Sequence, residues 1–353
     1  MPAIPRSNIA GATAVSAFDQ RKRIAVLTPV LDDWACLASL VGDITVQYTG
    51  SNVEFYVCAV DDGSVALFDP GIMSLPPDGC IVGIEILRLA VNLGHQRAIA
   101  VGLCALSDRE DFDAVVVMDS DGEDRPVDIA ALLRASAKHP GHVILARRDK
   151  RSESRAFRFW YRLYKFMFHV LTGQSLNFGN FSLLPVTVVR RLVHMPELWN
   201  NLAASIIRSR LRCTAVSTSR GSRYHGRSRM NLVALIVHGL SALSVHIDTI
   251  FVRVLLTAAA VAIASITGIT AVALIRFTTN LGIPGWATTA AGDLLIILLQ
   301  TVVIVVAATL TMLAGRSSRP IIPIVDSLQF VAHRERYSPA GILVEAVPPK
   351  VGS

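Results

Sequence analysis

The sequence predicts an α/β fold: a largely parallel sheet with helices on both faces, followed near the C-terminus by two apolar helices of membrane length. Three observations predict it. Apolar, β-branched runs of strand length alternate with stretches of helix length between residues 24 and 217, the pattern of a βαβ series. Polar, turn-forming clusters close these runs repeatedly, and open α/β sheets gather their ligands at strand C-termini. The chain is also unusually apolar: only 17% of its 353 residues are charged and its mean hydropathy is +0.48, an excess that an ordinary soluble domain does not carry.

Taken in order, residues 1–22 lack a basic segment followed by a strong apolar run and read as a mobile tail, not a signal peptide. Ile24 to Val30 is a strand ending at Thr28-Pro29, and Trp34 to Val46 forms the next helix. Phe55 to Val60 runs into Asp61-Asp62-Gly63-Ser64, where two carboxylates can hydrogen-bond a nucleobase or ribose. Ile84 to Ala90 is the third strand. Asn92-Leu93-Gly94-His95-Gln96-Arg97 follows, where Gly94 permits a close turn and Arg97 or the helix N-terminus can face a phosphate. His95 reads as a capping or packing residue.

The run Ala114 to Met118 delivers Asp119 and Asp121 to a turn marked by Gly122 and Pro126. Two carboxylates one residue apart project to the same side of a persisting strand and can share a divalent cation, for which hard oxygens favour Mg²⁺ or Mn²⁺. A helix from Val127 to Lys138 and a strand from Val143 to Ala146 complete this series. Arg147, Arg148, Lys150 and Arg151 then lead into the aromatic, basic helix Phe157 to Phe168, which suits either a membrane interface or the face of the sheet. Asn177 to Leu184 is extended, Pro185 to Val193 and Pro196 to Arg208 are helical, and Cys213 to Ser217 is a last strand. The loop Gly221 to Asn231 carries Arg223, Arg227 and Arg229, whose guanidinium forks can wrap phosphates.

Leu232 to Val245 reads as an amphipathic interfacial helix. Leu255 to Ile275 and Leu294 to Ala314 each run without a formal charge, for about the 20 residues that span a bilayer. Lys and Arg precede the pair and Arg316, Arg319, Arg334 and Arg336 follow it, which places both termini in the cytoplasm. The domains expected are the tail 1–22, a catalytic domain 23–229, a juxtamembrane helix 230–250, two spans within 251–315 and a cytoplasmic tail 316–353. The five cysteines show neither metal-ligand spacing nor a disulfide framework. No Gly-rich dinucleotide fingerprint and no Walker loop occurs. A net charge of +7 suits anionic lipid or phosphorylated ligands, and the spans argue against nucleic acid.

The ordered set of Val60-Asp61-Asp62-Gly63-Ser64, Asn92-Leu93-Gly94-His95-Gln96, Met118-Asp119-Ser120-Asp121, Gly179-Asn180-Phe181 and the Arg223 to Asn231 loop before two spans resembles family 2 glycosyltransferases of the GT-A fold. More narrowly it is similar to the polyprenyl-phosphate group, which includes dolichyl-phosphate mannose synthases and bactoprenol glucosyltransferases. The likeness runs from about residue 23 to 315. It implies an inverting transfer of a sugar from a UDP- or GDP-sugar to a polyprenyl phosphate at the cytoplasmic face of the inner membrane. Thr28, Pro29, Asp61, Asp62, Asn92, Gly94 and Arg97 are then the nucleotide-sugar residues, and Asp119, Asp121 and Glu123 the metal residues. Asp119, Asp121, Arg223 and Arg229 carry the chemistry, and Arg147, Arg151, Arg223, Arg227 and Arg229 hold the acceptor phosphate. Homo-oligomerisation is left open.

Two positions depart from the family pattern: Glu123 stands where Gln is frequent, and Asn180 where Asp is common. The rival readings are a processive polysaccharide synthase, whose Gln-x-x-Arg-Trp motif is absent from this sequence, a transferase with a hydroxyl acceptor, for which Asp124 is the spare carboxylate, and a silent membrane scaffold.

Overall fold

The computed structural model describes residues 21–73, 76, 79–148, 155–174, 178–226, 239–279, 285–339 and 341–347. Arg151, Arg227, Arg229, residues 1–20 and the first part, 232–238, of the helix expected from Leu232 to Val245 lie outside the described residues. The chain forms two compact units: one of Met1–Leu163, Leu176–Val245 and Ile321–Ser353, the other of Tyr164–Ser175 and His246–Pro320.

The first unit is built on one nine-stranded sheet. Its strands are β1 (Lys22–Val30), β2 (Val53–Asp61), β3 (Ile81–Leu89), β4 (Ala114–Val117), β5 (Val143–Arg148), β6 (Ser182–Pro185), β7 (Cys213–Thr218), β8 (Val331–Tyr337) and β9 (Leu343–Val347), in the order β7-β5-β6-β4-β1-β2-β3-β8-β9. Alternation along β1 shows why both faces are covered. Ala25 and Leu27 pack with α2 (His95–Ser107), α5 (Val186–Leu192) and α6 (Leu202–Arg208), while Ile24 and Val26 pack with α1 (Trp34–Tyr48) and α3 (Pro126–Lys138). The aromatic, basic segment forms α4 (Arg155–Thr172).

The sheet is mixed, not largely parallel. The central pairs β1·β2, β1·β4 and β2·β3 and the edge pair β5·β7 are parallel, whereas β6 runs antiparallel between β4 and β5, β8 antiparallel to β3 and β9 antiparallel to β8. Strand direction depends on the path of the returning connection, which strand-forming residues do not encode. The helix expected over Pro196–Arg208 is also divided: a 3-10 turn ends at Trp199, and Asn201 caps α6 by accepting the Ala204 N–H at 2.9 Å.

The expected separate tail at 316–353 needs correction. Its strand β8 lies antiparallel on β3, with Glu85 opposite Arg336 and Leu87 opposite Arg334. The fully buried Glu85 carboxylate takes the Arg334 guanidinium, Arg336 at 3.4 Å, Arg109 at 3.5 Å and the Tyr56 hydroxyl at 3.0 Å. Arg109 itself lies over both Tyr56 and Phe112, 4.2 and 4.4 Å from the ring centroids, the two rings packing on each other at 5.2 Å. The strand reads Val-Ala-His-Arg-Glu-Arg-Tyr, so ionic pairing with Glu85 takes the place of the apolar run that would have announced it.

The second unit contains α7 (Ile247–Thr278) and α8 (Trp286–Ser317), both 32 residues, or about 48 Å at 1.5 Å per residue, against a hydrocarbon core of about 30 Å. Both are long and apolar enough to cross a membrane. Each extends beyond the predicted uncharged run, and α7 begins inside the expected juxtamembrane segment, of which residues 239–244 are helical. Leu256, Ile263, Leu274, Val303 and Leu310 are exposed. Thr257, Thr267, Thr270, Thr301 and Thr311 return their hydroxyls to carbonyls one turn back.

Candidate active site

The C-terminal ends of β1, β2 and β4 and the loop after β7 supply the site. β4 ends at Val117 and the chain turns through Asp119–Asp124 before Pro126 opens α3. Asp124 braces this turn: it is buried, its Oδ2 accepts the Asp119 N–H at 3.1 Å and its Oδ1 accepts Arg148 Nη2 at 2.8 Å. Asp121 Oδ1 accepts the Glu123 N–H at 2.9 Å. Burial first, and then the neighbouring carboxylate, push Asp119 and Asp124 above the ordinary carboxylate range. Desolvation pulls Arg148 down, and Asp124 and Glu123 together more than offset it, leaving the guanidinium raised.

The loop after β7 is docked on this turn by its backbone. The Gly221 N–H donates to the Glu123 carbonyl at 2.9 Å and the Tyr224 N–H to the Asp121 carbonyl at 2.8 Å. Two glycines allow the approach. Gly122 has φ +91° and the Tyr224 ring where a Cβ would come within 2.8 Å, and a Cβ on Gly221 would sit 2.1 Å from the Gly122 carbonyl oxygen. Tyr224 is anchored beyond by its hydroxyl, which donates to Asp43 Oδ2 at 2.6 Å. Arg223 then reaches Asp121 Oδ2 at 3.0 Å through Nη1, Asp33 Oδ2 at 2.6 Å through Nη2 and the His225 carbonyl at 2.9 Å through Nε.

The predicted residues fare differently. Asp119, Asp121, Glu123 and Arg223 are brought together. Glu123 faces arginines, with Oε1 2.6 Å from Arg220 Nη2 and Oε2 3.5 Å from Arg148 Nη1, so its charge is already balanced by protein. Asp61 and Asp62 serve the loops around the site. Asp61 accepts from the Ser64 N–H at 2.8 Å and from Arg88 Nε at 3.0 Å, and Asp62 accepts from the Leu93 N–H at 2.7 Å and the Gly94 N–H at 3.0 Å. Buried carboxylates must be paired, and these are satisfied inside the protein. Burial pushes Asp62 up, and the two amides pull it back. Asn92 is exposed beside this brace. Arg97 stacks its guanidinium over Trp199, 5.6 Å from the centroid, and does not join the acidic turn. The Thr28 hydroxyl is buried without a partner among the described residues, and the Pro29 carbonyl receives Ser120 Oγ at 3.5 Å. Arg147 lies at the exposed end of β5.

Four residues that sequence reasoning passed over matter here. Arg148, next to the predicted Arg147, points the other way along β5 and is the one that meets Asp124. Arg220 meets Glu123. Asp33 sits in an Asp-Asp pair closing β1, the same strand-end signal as Asp61-Asp62. His95, expected to cap or pack, places Nε2 3.0 Å from Asn180 Nδ2 and 3.4 Å from Asp119 Oδ1. The Leu202 N–H donates to Gln96 Oε1, so Gln96 Nε2 donates to Asn180 Oδ1 at 3.2 Å and Asn180 Nδ2 is left to donate to His95. That chain makes His95 Nε2 an acceptor, and desolvation holds its imidazole below the ordinary value against the pull of Asp62 and Asp124.

Residues 25–192, from β1 to the end of α5, match the profile of Glycosyl transferase family 2. The chain carries a family 2 glycosyltransferase domain. Its mixed sheet, covered on both faces, is the GT-A fold. No curated protein matches the sequence. Among solved structures the chain is similar to glucosyl-3-phosphoglycerate synthase from Mycobacterium tuberculosis in complex with Mn²⁺, UDP-glucose and phosphoglyceric acid, at 16% identity over 71% of this chain and 85% of that one, with a TM-score of 0.45. It is also similar to mannosyl-3-phosphoglycerate synthase from Rubrobacter xylanophilus, at 11% identity over 64% and 72% of the two chains, with a TM-score of 0.43. The profile match takes in the acidic turn but ends before the arginine loop of the glycosyltransferase, whose place is known only from the contacts above.

Those contacts set a test. Gly221→Ala must push the loop off the Gly122 carbonyl. It is expected to cut turnover about a hundredfold, the scale of a displacement near 1 Å in a positioned group, with little change in melting temperature. Parental turnover would mean that the docked loop takes no part.

Among the described residues no three ligating side chains are gathered for a metal ion. The donor chemistry of the turn nevertheless fits Mg²⁺ or Mn²⁺. Asp119 Oδ1 is a buried oxygen with no hydrogen-bond partner among the described residues, and Asp121 Oδ2, two residues on, is held by a cationic side chain. Both are the hard oxygens such ions take.

Proposed function

We propose that this chain is an inverting glycosyltransferase that moves a sugar from a UDP- or GDP-sugar to a polyprenyl phosphate held in the bilayer, with Mg²⁺ or Mn²⁺ on Asp119 and Asp121. The observation that carries the reading is that two membrane-length helices are inserted in the chain between strands of the catalytic sheet, between β7 and β8. Because β8 hydrogen-bonds to β3, the chain must return to the side it left, and an even number of crossings achieves that. The arginines flanking the pair support the cytoplasmic face for that side. A catalytic domain tethered there meets acceptors whose reactive group lies at the headgroup level.

The side chains suit two anions held close together. Arg223, docked against the acidic turn from the loop after β7, is the candidate for the donor's phosphate oxygens, and Arg147 at the end of β5 is the described candidate for the acceptor. The bound ion would supply charge stabilisation for the departing diphosphate. A phosphate monoester with a second pKa near 6 is already largely dianionic at neutral pH and needs no protein base. That agrees with Asp124, which is committed to Arg148 and the Asp119 amide and is not available as one. Membranes containing the full chain, given radiolabelled UDP- and GDP-sugars, are expected to yield a labelled, acid-labile lipid. No label in the lipid extract with any donor would overturn the acceptor assignment.

One observation favours a second reading, a hydroxyl acceptor. His95 Nε2 is an acceptor beside Asp119 and is the group placed to take a proton. His95→Ala separates the two: transfer to lipid phosphate should fall less than about tenfold, whereas loss of a general base costs about 10²–10⁴-fold.

A further inference from the structure

We propose that Asp33 is the positioning residue for Arg223: it retains the guanidinium when a divalent cation displaces it from Asp121, so that cation and arginine divide what is now one pairing. This deepens the functional reading above and rests on it for the diphosphate donor. Its test does not require transfer.

Asp33 occupies the N-cap of α1, where a carboxylate ordinarily accepts an N–H of the first turn. It makes no side-chain cap bond; only its carbonyl serves the helix, accepting from Cys36 N–H at 3.0 Å and Leu37 N–H at 3.1 Å. Its carboxylate is instead given to Arg223 at 2.6 Å. The preceding residue, Asp32, holds φ +47°, a left-handed conformation that a non-glycine residue adopts at a cost. The turn is fastened there by the Asp32 N–H on Ser64 Oγ at 2.8 Å and by the Val65 N–H on Asp32 Oδ1 at 2.7 Å. A strained turn and a forgone cap both serve to aim one carboxylate at one arginine.

The guanidinium is engaged on three sides. Nε is held by the His225 carbonyl, Nη2 by Asp33 and Nη1 by Asp121. Only the last contact uses an oxygen that the cation needs. A cation on Asp121 therefore frees Nη1 and leaves Nη2 and Nε fixed, and the freed N–H groups then lie beside the cation, ready for an oxygen of the same diphosphate. Asp119, Asp121 and Asp33 with the one guanidinium sum to −2; the divalent ion brings this to zero, which removes the repulsion an anionic nucleotide would meet. Without Asp33 the arginine has only one carboxylate to pair with, Asp121, and it competes there with the ion.

The test is Mn²⁺ binding to the full chain in detergent, read from the electron paramagnetic resonance of the free ion, with thermal melting as the folding control. Asp33→Asn is expected to weaken Mn²⁺ binding about tenfold and Arg223→Ala to tighten it. In the double variant the Asp33 effect should vanish, because the residues act as one unit. If Asp33→Asn fails to fold, Asp33→Glu, which moves the carboxylate by one methylene, should give the same direction with a smaller size. An Asp33 effect that persists undiminished in the Arg223→Ala background would show that Asp33 acts only through its own charge. Mn²⁺ affinity unchanged in every variant, or no Mn²⁺ binding to any of them, also overturns the proposal. Labelled lipid with a failed Mn²⁺ pattern would refute this inference alone; the Mn²⁺ pattern without labelled lipid would refute the acceptor.

Discussion

Asp119→Asn is expected to lower sugar transfer by about three orders of magnitude, close to 4 kcal/mol of activation free energy, while the chain keeps its melting temperature. The asymmetry between Asp119 and its neighbours is the reason. Asp124 and Asp121 make hydrogen bonds that shape the turn and hold the arginine loop, so replacing either mixes loss of structure with loss of chemistry. Asp119 Oδ1 is buried without a hydrogen-bond partner among the described residues, its neighbour being His95 Nε2 at 3.4 Å, and the fold gains little from its charge. Excess chelator should reproduce the loss in the parent protein, and Mg²⁺ or Mn²⁺ should reverse it. Full turnover in chelator would falsify the metal assignment, and a parallel fall in melting temperature would make Asp119 a structural residue.

The second large effect is on folding. A chain ending at Pro320 is expected to fail to form a stable catalytic domain, even though every predicted site residue precedes that point. Removing β8 takes Arg334 and Arg336 from Glu85, which is fully buried. Breaking a buried ion pair from one side costs about 3–5 kcal/mol, a large part of the total stability of a domain. It also strips the edge of β3, whose ladder from Ile84 to Leu89 would be left unpaired. Glu85→Gln in the truncated chain removes the buried charge and should recover part of the stability. A truncated chain that melts like the parent would show that the C-terminal strands are dispensable. Soluble variants are better sought by replacing residues 246–320 than by ending the chain before them.

The parts of the molecule written in local pattern were legible. Strands β1 to β5 announce themselves by β-branched runs because each is buried on both faces, and the two long helices by uncharged length. The acidic turn was legible because Asp119 and Asp121 are neighbours in the chain, and the arginine loop because charge and glycine coincide in it. The domain match over residues 25–192 rests on the same stretch. The direction of β6, the return of β8 and the exact partner of each charged group were not legible, since each depends on residues far apart in sequence. Glu85 meets Arg334 across 249 positions and Asp33 meets Arg223 across 190.

Composition and spacing by themselves determined the α/β class, the membrane-length pair and the location of the acidic and basic clusters, because burial and helix length are local demands on residue type. Only the tertiary structure decided which charges are spent on the fold and which are left over. Asp61 and Asp62 brace loops, Glu123 pairs with arginines, and Asp119 Oδ1 is a buried oxygen without a hydrogen-bond partner among the described residues. The physical reason is that a buried carboxylate takes the nearest donor in space, and nearness in space is what a one-dimensional pattern does not carry.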